Sequence, residues 1–517
     1  MMLYNMSLLF LKIRFLKGKF DMATNLGTSV TTKKLKMQPV PLLVILASFK
    51  PHDAKSFEDG MQMASTDRHY WHDIYFGDEG YTLKNFYKEM SGGKFYFSPA
   101  DVKGSDAPGV VELTLDLPHP EYIQNNNPAM RTGAALYVVA KAIEAAGDYV
   151  DFASYDKDGD GYLSSDEFNV VVIHAGFDYS GGKEKTDTLH WGVFANCGIL
   201  SDGEDTEGFP GAHAPTVGGV KVCAAGHACY TLIGEYRKTE NGFVPHPFGT
   251  AAHELGHAIG FHDIYDYDRE VSRWPLPTMF SLMCHGNYGR LWNDPSQVRG
   301  SCPTHLDPFQ KIRAGLIDTV EVNEDGEYSV FSVSCSTPNI LRINTPDKKE
   351  YFLLENRQTN GFNAGLYTRK TVCDAEGNKL TVNVNYERGG IIIWHIDEDV
   401  FDKFSGIKRT NGSGLWNPDG ETKGTERHDP GIVAVFKNGF DENGLMKDDG
   451  VYTCGYPEDP FFRAGDVFNS KEYISAATHT RSLNSFPEGL SEDTYNLRIE
   501  FLEDEGREIK IRVKQKK

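Results

Sequence analysis

Between Gly249 and Asp266 the chain reads GTAAHELGHAIGFHDIYD, and its residue types and spacing describe a metal site. His253 and His257 stand one helical turn apart, so both imidazoles leave the same helix face, as two ligands of one zinc ion require. Glu254 follows the first histidine and is placed beside such an ion rather than on it, where a carboxylate can take a proton from water at the metal. Thr250 is the expected N-cap. Gly260 tolerates a left-handed turn and is expected to end the helix, so that the chain reverses and brings in a third ligand, with Asp263 arriving shortly after His257. The competing reading is a core helix whose histidines satisfy internal hydrogen bonds. The glycine and the acid beyond it favour the metal.

HELGHAIGFHD resembles the zinc signature of the metzincin clan, with an aspartate where most of that clan has a third histidine. Together with the DIYD that ends the stretch, it looks like the immune inhibitor A family of secreted bacterial metallopeptidases, in which HELGHxxGxxDxYD is typical. The resemblance implies a zinc ion on His253, His257 and Asp263, with Glu254 as the catalytic base. His262 replaces a proline often seen in the family and is a second candidate ligand; Asp263 is preferred because it holds the family position. SLMCHGNYG, from Ser281 to Gly289, resembles the methionine turn of metzincins, with Met283 as the methionine that underlies the metal. His285 and Tyr288 follow closely enough to be candidates for stabilising an oxyanion.

A second constellation is DKDGDGYLSSDE, Asp156 to Glu167. Asp156, Asp158 and Asp160 stand at alternate positions ahead of a turn glycine, Gly161. Tyr162 offers a main-chain carbonyl, and Glu167 can close the site with two oxygens, a set that suits calcium. The following FNVVVIHAG is rich in β-branched residues and predicts a strand, so the loop is not half of an EF-hand. Family members carry a similar DGDG loop running into a strand. The alternative is a solvated acidic turn that holds no ion. His174, His190, His227 and His246 are read as structural or cleft residues, because zinc with three protein ligands needs only water to complete its shell.

These residues need elements to hold them. PVPLLVILASF, from Pro39, is a continuous apolar run that predicts a buried strand. YTLKNFYKEMSGGKFYFSPADV predicts a helix with Leu83, Phe86, Tyr87 and Met90 on one face, a glycine turn and a strand through Phe95 and Phe97. GAALYVVAKAIEAAG predicts a helix on the sheet. In PTHLDPFQKIRAGLI, Asp307 as N-cap, Pro308 at the first helical position and Gln310 three beyond the cap form a capping-box start, and Gly315 is the stop. Beyond Asp318, runs such as YSVFSV, EYFLLENRQ and GGIIIWHID alternate with turns, the texture of a β-sandwich. Much of this also resembles the immune inhibitor A family. The expected architecture is an α+β zincin, metzincin-like, with a mixed sheet and an active-site helix at residues 39–318, preceded by a lead-in at 1–38 and followed by an all-β, sandwich-like unit at 319–517.

The bulk properties narrow the function further. The chain has 517 residues, too many for one ordinary core, and 40% hydrophobic with 24% charged residues is a globular composition. A formal net charge of -20 argues against nucleic acid and anionic membranes as partners and is compatible with calcium. No run of about twenty apolar residues predicts a membrane span. Eight cysteines show no CxxC spacing; the even count permits disulfides, with Cys223 and Cys229 able to close a short loop, and thiols fit equally. Residues 1–20 make a poor signal peptide because their charges follow the apolar residues, and a start at Met22 would leave no leader. Secretion is therefore implied by the family resemblance alone, and the family's long propeptide has no counterpart here. The expected activity is a zinc endopeptidase acting on protein or peptide substrates. The alternative is a secreted adhesion or glycan-binding protein on an inactive peptidase scaffold, against which an intact Glu254 argues.

Overall fold

The computed structural model describes residues 34–50, 67–121, 123, 133–178, 192–193, 196–203, 211–239, 242–264, 278–345, 349–373, 379–398, 401, 407–408, 414–415, 432–435, 461–470 and 496–516. Residues 1–33, His190, Tyr265, Asp266, Cys454 and the stretches 411–413, 416–431 and 436–460 lie outside them. At the near end of the lead-in, Leu35 is buried and its N–H donates to Ala314 O.

Strand β1, Pro39–Phe49, is central to an eight-stranded sheet and is almost wholly buried, as its unbroken apolar run requires. It pairs in parallel with β2 (Tyr96–Pro99), β3 (Val110–Leu115) and β4 (Asn169–Asp178). Two short strands, β5 (Gly192–Val193) and β6 (Asn196–Gly198), lie at the margin, and a hairpin, β7 (Thr216–Val217) with β8 (Val220–Lys221), stands apart. β9 (Tyr230–Thr239) runs parallel to β4 and carries β6 and β10 (Gly242–Pro245) antiparallel on it. The sheet is therefore mixed. The helix Gly133–Ala146 covers one face, in a cluster with Leu43, Ile45 and Val172. The other face holds the helix Leu83–Met90, whose Leu83, Phe86, Tyr87 and Met90 are all buried, and the helix Gly249–Ala258 that carries the histidines.

After a short helix, Pro308–Arg313, the chain becomes β-rich. β11 (Thr319–Glu321), β13 (Ile340–Asn344), β14 (Glu350–Arg357), β17 (Gly390–Asp397) and β20 (Ile432–Ala434) form one sheet. β12 (Gly326–Phe331), β21 (Val467–Asn469), β22 (Asn496–Asp504) and β23 (Glu508–Lys516) form a second, while β15 (Tyr367–Cys373) with β16 (Lys379–Asn385) and β18 (Ile407–Lys408) with β19 (Gly414–Leu415) are separate hairpins. Phe352 and Leu354 join Phe468, Ile499 and Ile511 between the two sheets. Tyr351 and Leu353, which point the other way from the same strand, join the core that contains Leu255 and Met283. β14 is thus buried on both faces, and one hydrophobic cluster runs from beneath the histidine helix into the second unit.

Candidate metal centre

The helix Gly249–Ala258 does not use Thr250 as its cap, contrary to the sequence expectation. Phe248 precedes the first turn with no side-chain cap, and the N–H of Gly249 donates to Gly300 O at 3.0 Å. Tight packing of Gly249 on the main chain of Asn287 and Gly300 replaces the hydroxyl, which lies buried inside the first turn. At the other end Gly260 has φ +99°, the left-handed conformation anticipated there, and the chain turns back at Phe261.

That reversal brings Asp263 to the histidines. Its Oδ1 lies 3.0 Å from His253 Nε2 and 3.1 Å from His257 Nε2, and the three ligand atoms fall within 4.8 Å of one another. Each imidazole is held from behind: His253 Nδ1 bonds Leu282 O at 2.9 Å and His257 Nδ1 bonds Phe261 O at 3.0 Å. A main-chain carbonyl only accepts, so each Nδ1 carries the proton and each Nε2 faces the shared point, the outer contact that metal-ligating histidines make. The side chains of His253, Asp263 and His257 are 6%, 16% and 24% exposed, so the cluster opens to solvent on the His257 side. His262 does not join it; its main chain is bound by Gln310 and its ring stands 5.7 Å from Phe401.

Without a cation the two imidazoles and the one carboxylate form a charged cluster of their own. Burial opposes charge on all of them, but Asp263 outweighs it and pushes His257 up to about 10, and it raises His253 as well. Burial would lift Asp263 too, yet the facing imidazoles hold its carboxyl well below the usual range. Glu254 is raised, chiefly by burial; the nearby histidines oppose the rise and Asp263 and Asp178 add to it. Nitrogen and carboxylate donors meeting at one partly open point fit zinc with a free position.

Met283 is fully buried under the helix, and a Cβ added to Gly256 would come within 2.7 Å of its Sδ, so the sulfur occupies the space the glycine leaves. Its carbonyl accepts from Ile264 N at 2.9 Å, just past Asp263. His285 bonds Cys284 Sγ at 3.4 Å, and the Tyr288 ring lies 5.0 Å under the Arg237 guanidinium. His174 and His246 are completely buried and are not in the group of three ligand atoms: His174 Nδ1 bonds Ala175 O, and His246 Nδ1 bonds Pro247 O with Nε2 3.5 Å from Asp178. His227 stacks on Tyr162 at 4.0 Å.

In the acidic loop, Asp156, Asp158 and Glu167 bring one oxygen each within 4.8 Å of the others. Asp160 is outside that group: its Oδ1 accepts from Tyr162 N and its Oδ2 faces His227 at 3.9 Å. The Tyr162 hydroxyl bonds Asp202, and the residue is bridged to Lys221. Glu167 accepts from Lys157 N, Ser164 N and Ser164 Oγ, and these bonds, against burial, lower its carboxyl pKa. Cys197, Cys223, Cys229, Cys284, Cys302 and Cys335 carry thiols, so Cys223 and Cys229 do not close a loop; Cys223 Sγ donates to Cys229 O.

Sequence reasoning overlooked the partners behind the site. Asp307 caps its helix as expected, accepting from Gln310 N at 2.9 Å, but the Gln310 side chain does not complete a capping box. It bonds the Asp307 carboxylate and the His262 main chain, while Asp307 N donates to Ser281 Oγ. Arg357, buried in β14, was not singled out; the polar triplet Glu355, Asn356, Arg357 directly after the apolar run Tyr351 to Leu354 was the available signal.

No protein-family model matches the chain. It aligns at 27% identity over 343 residues with Immune inhibitor A of Bacillus thuringiensis subsp. alesti, across 59% of this chain. The relationship is distant, and the chain spans 46% of the length of that curated relative.

Proposed function

We propose that this chain is a zinc-dependent endopeptidase of metzincin-like fold, secreted, with a catalytic unit at 39–318 and a β-sandwich unit at 319–517, acting on protein or peptide substrates. The observation that carries the reading is the meeting of His253 Nε2, His257 Nε2 and Asp263 Oδ1 with both Nδ1 atoms committed to carbonyls. The distant likeness to Immune inhibitor A supports it. His253, His257 and Asp263 would hold the ion and Met283 would floor the site. Bound zinc supplies Lewis acidity, which makes a water more acidic and a carbonyl more electrophilic.

The chain's own residues do the rest. Glu254, next to His253 on the helix, accepts the proton of the attacking water as its oxygen bonds the carbonyl carbon, then delivers that proton to the amine nitrogen as the C–N bond breaks. Its raised pKa suits both halves of the transfer, since a very weak base could not take the proton and a very strong acid could not keep it. Asp263 adds negative charge that a third histidine would not, so the water should be less acidified than in a three-histidine site.

For the loop at 156–167 we propose calcium, held by Asp156, Asp158 and Glu167, with the Tyr162 carbonyl as a further oxygen donor and Asp160 joining by turning its carboxylate from Tyr162 N and His227. Casein hydrolysis tests the main reading: it should vanish with a strong chelator and return with zinc. Absence of hydrolysis in a zinc-loaded chain would favour an inactive scaffold with a binding role.

A further inference from the structure

The segment from Thr304 to Lys311 touches both stretches of main chain that set the candidate ligands. Gln310 is 1% exposed and its amide grips His262 from both sides: Oε1 accepts from His262 N at 2.6 Å, and Nε2 donates to His262 O at 3.1 Å as well as to Asp307 Oδ2 at 3.0 Å. The next residue is Asp263. On the other flank, Leu282 N donates to His305 O, Ser281 Oγ donates to Asp307 Oδ2 at 2.9 Å, and Thr304 Oγ1 donates to Met279 O. Leu282 O is the acceptor that orients His253.

This segment is tied in turn to the second unit by buried charge. Arg357, 1% exposed in β14, donates to Leu306 O at 2.8 Å and to Phe280 O, and pairs with Glu355 at 2.8 Å. Lys311, beside Gln310, pairs with the same Glu355 at 3.1 Å. Three charged groups in one core gain little net stability over apolar packing, because removing them from water offsets most of their attraction. They do fix geometry, since a guanidinium fork with carbonyl acceptors on two separate loops satisfies only one arrangement.

We propose that Gln310 and Arg357 are positioning residues of the metal centre. Gln310 sets the main chain that presents Asp263, and Arg357 sets the main chain whose carbonyl aims His253, so the β-sheet of the second unit is part of the site. This inference rests on the zinc reading above.

The test is the zinc dissociation constant of the full chain, by competition with a chromophoric chelator, with the visible absorption of the cobalt(II)-loaded chain as a second readout. Gln310→Leu and Arg357→Gln should each raise the dissociation constant about 10–100-fold, the usual effect of removing a partner that orients a ligand, and shift the cobalt bands. Gln310→Glu keeps the acceptor for His262 N–H but loses the donor to His262 O and Asp307 Oδ2 and sets a carboxylate against Asp307, so it should recover less of the affinity than Arg357→Lys, which keeps the charge and loses only the fork. These milder variants give the reading if the first pair fails to fold. Phe468→Ala, in the core between the two β-sheets, should lower thermal stability with the parent's zinc affinity and spectrum. Parent-like affinity and spectra in folded Gln310 and Arg357 variants would overturn the inference alone. A parent chain that takes up no zinc would overturn the reading of the site, and this inference with it.

Discussion

His253, His257 and Asp263 bring three donor atoms together, and so do Asp156, Asp158 and Glu167, but the two clusters stand differently toward their own backbone. The histidines spend Nδ1 on Leu282 O and Phe261 O and direct Nε2 at Asp263. In the loop the carboxylates are largely answered locally: Asp156 accepts from Gly159 N and Gly161 N, Asp158 from Asp160 N, and Glu167 from Lys157 N and Ser164 N. The first cluster is built from both sides, by tertiary contacts behind and by convergence in front. The second satisfies itself as a turn, so a cation there adds to a conformation that already exists. Tight binding is accordingly expected at the first and weak, stabilising binding at the second.

The largest effect that would break this contrast is Glu254→Gln. The change keeps size and removes the proton acceptor, so peptide cleavage should fall by about 10²–10⁴ or more while zinc stays bound. Kinetics and metal content measured on one preparation check both halves. An active variant would remove Glu254 from the mechanism.

A smaller effect concerns the metal-free chain. His257 is raised from 6.5 to about 10, so the stability its pair with Asp263 provides is complete below about pH 6.5 and is lost as pH rises toward 10. Asp263, held low, contributes above its ordinary value and loses that contribution as pH falls through its depressed one. The melting temperature of the metal-free protein should therefore fall between pH 6.5 and 10 relative to Asp263→Asn, measured by calorimetry. A parallel pH course in the two proteins would contradict the pairing.

The smallest expected effect sharpens the other side of the comparison. Calcium should raise the melting temperature by about 1–3 °C by binding the native state only, and Asp158→Ala should abolish that rise and leave zinc content intact. Identical melting with and without calcium in the parent would leave the loop as a self-satisfied turn.

The legible parts of this molecule were those in which local sequence determines local structure. The apolar run Pro39–Phe49 is a buried strand, Leu83 to Met90 is a helix buried on one face, and Gly260 takes the left-handed turn that returns Asp263. Two histidines four apart could be paired from spacing alone because a helix has one geometry. The unread parts depend on partners without side-chain identity. Gly300 O took the place of a Thr250 cap, and Leu282 O and Phe261 O fix the imidazoles, yet any residue could supply those carbonyls. Gln310 has the right type for a capping box, but Ser281 Oγ takes Asp307 N, and the Gln310 amide turns to the Asp307 carboxylate and to His262, 48 positions earlier. Asp160 fits a calcium pattern by position, but its carboxylate turns to Tyr162 N and His227.

The most direct test of the central claim is elemental analysis of zinc after exhaustive dialysis in the parent, Asp263→Ala and His262→Ala. The account predicts one zinc per chain in the parent and in His262→Ala, and depletion in Asp263→Ala with partial recovery in excess zinc, because losing a ligand weakens the site itself. Full zinc in Asp263→Ala together with loss from His262→Ala would contradict it.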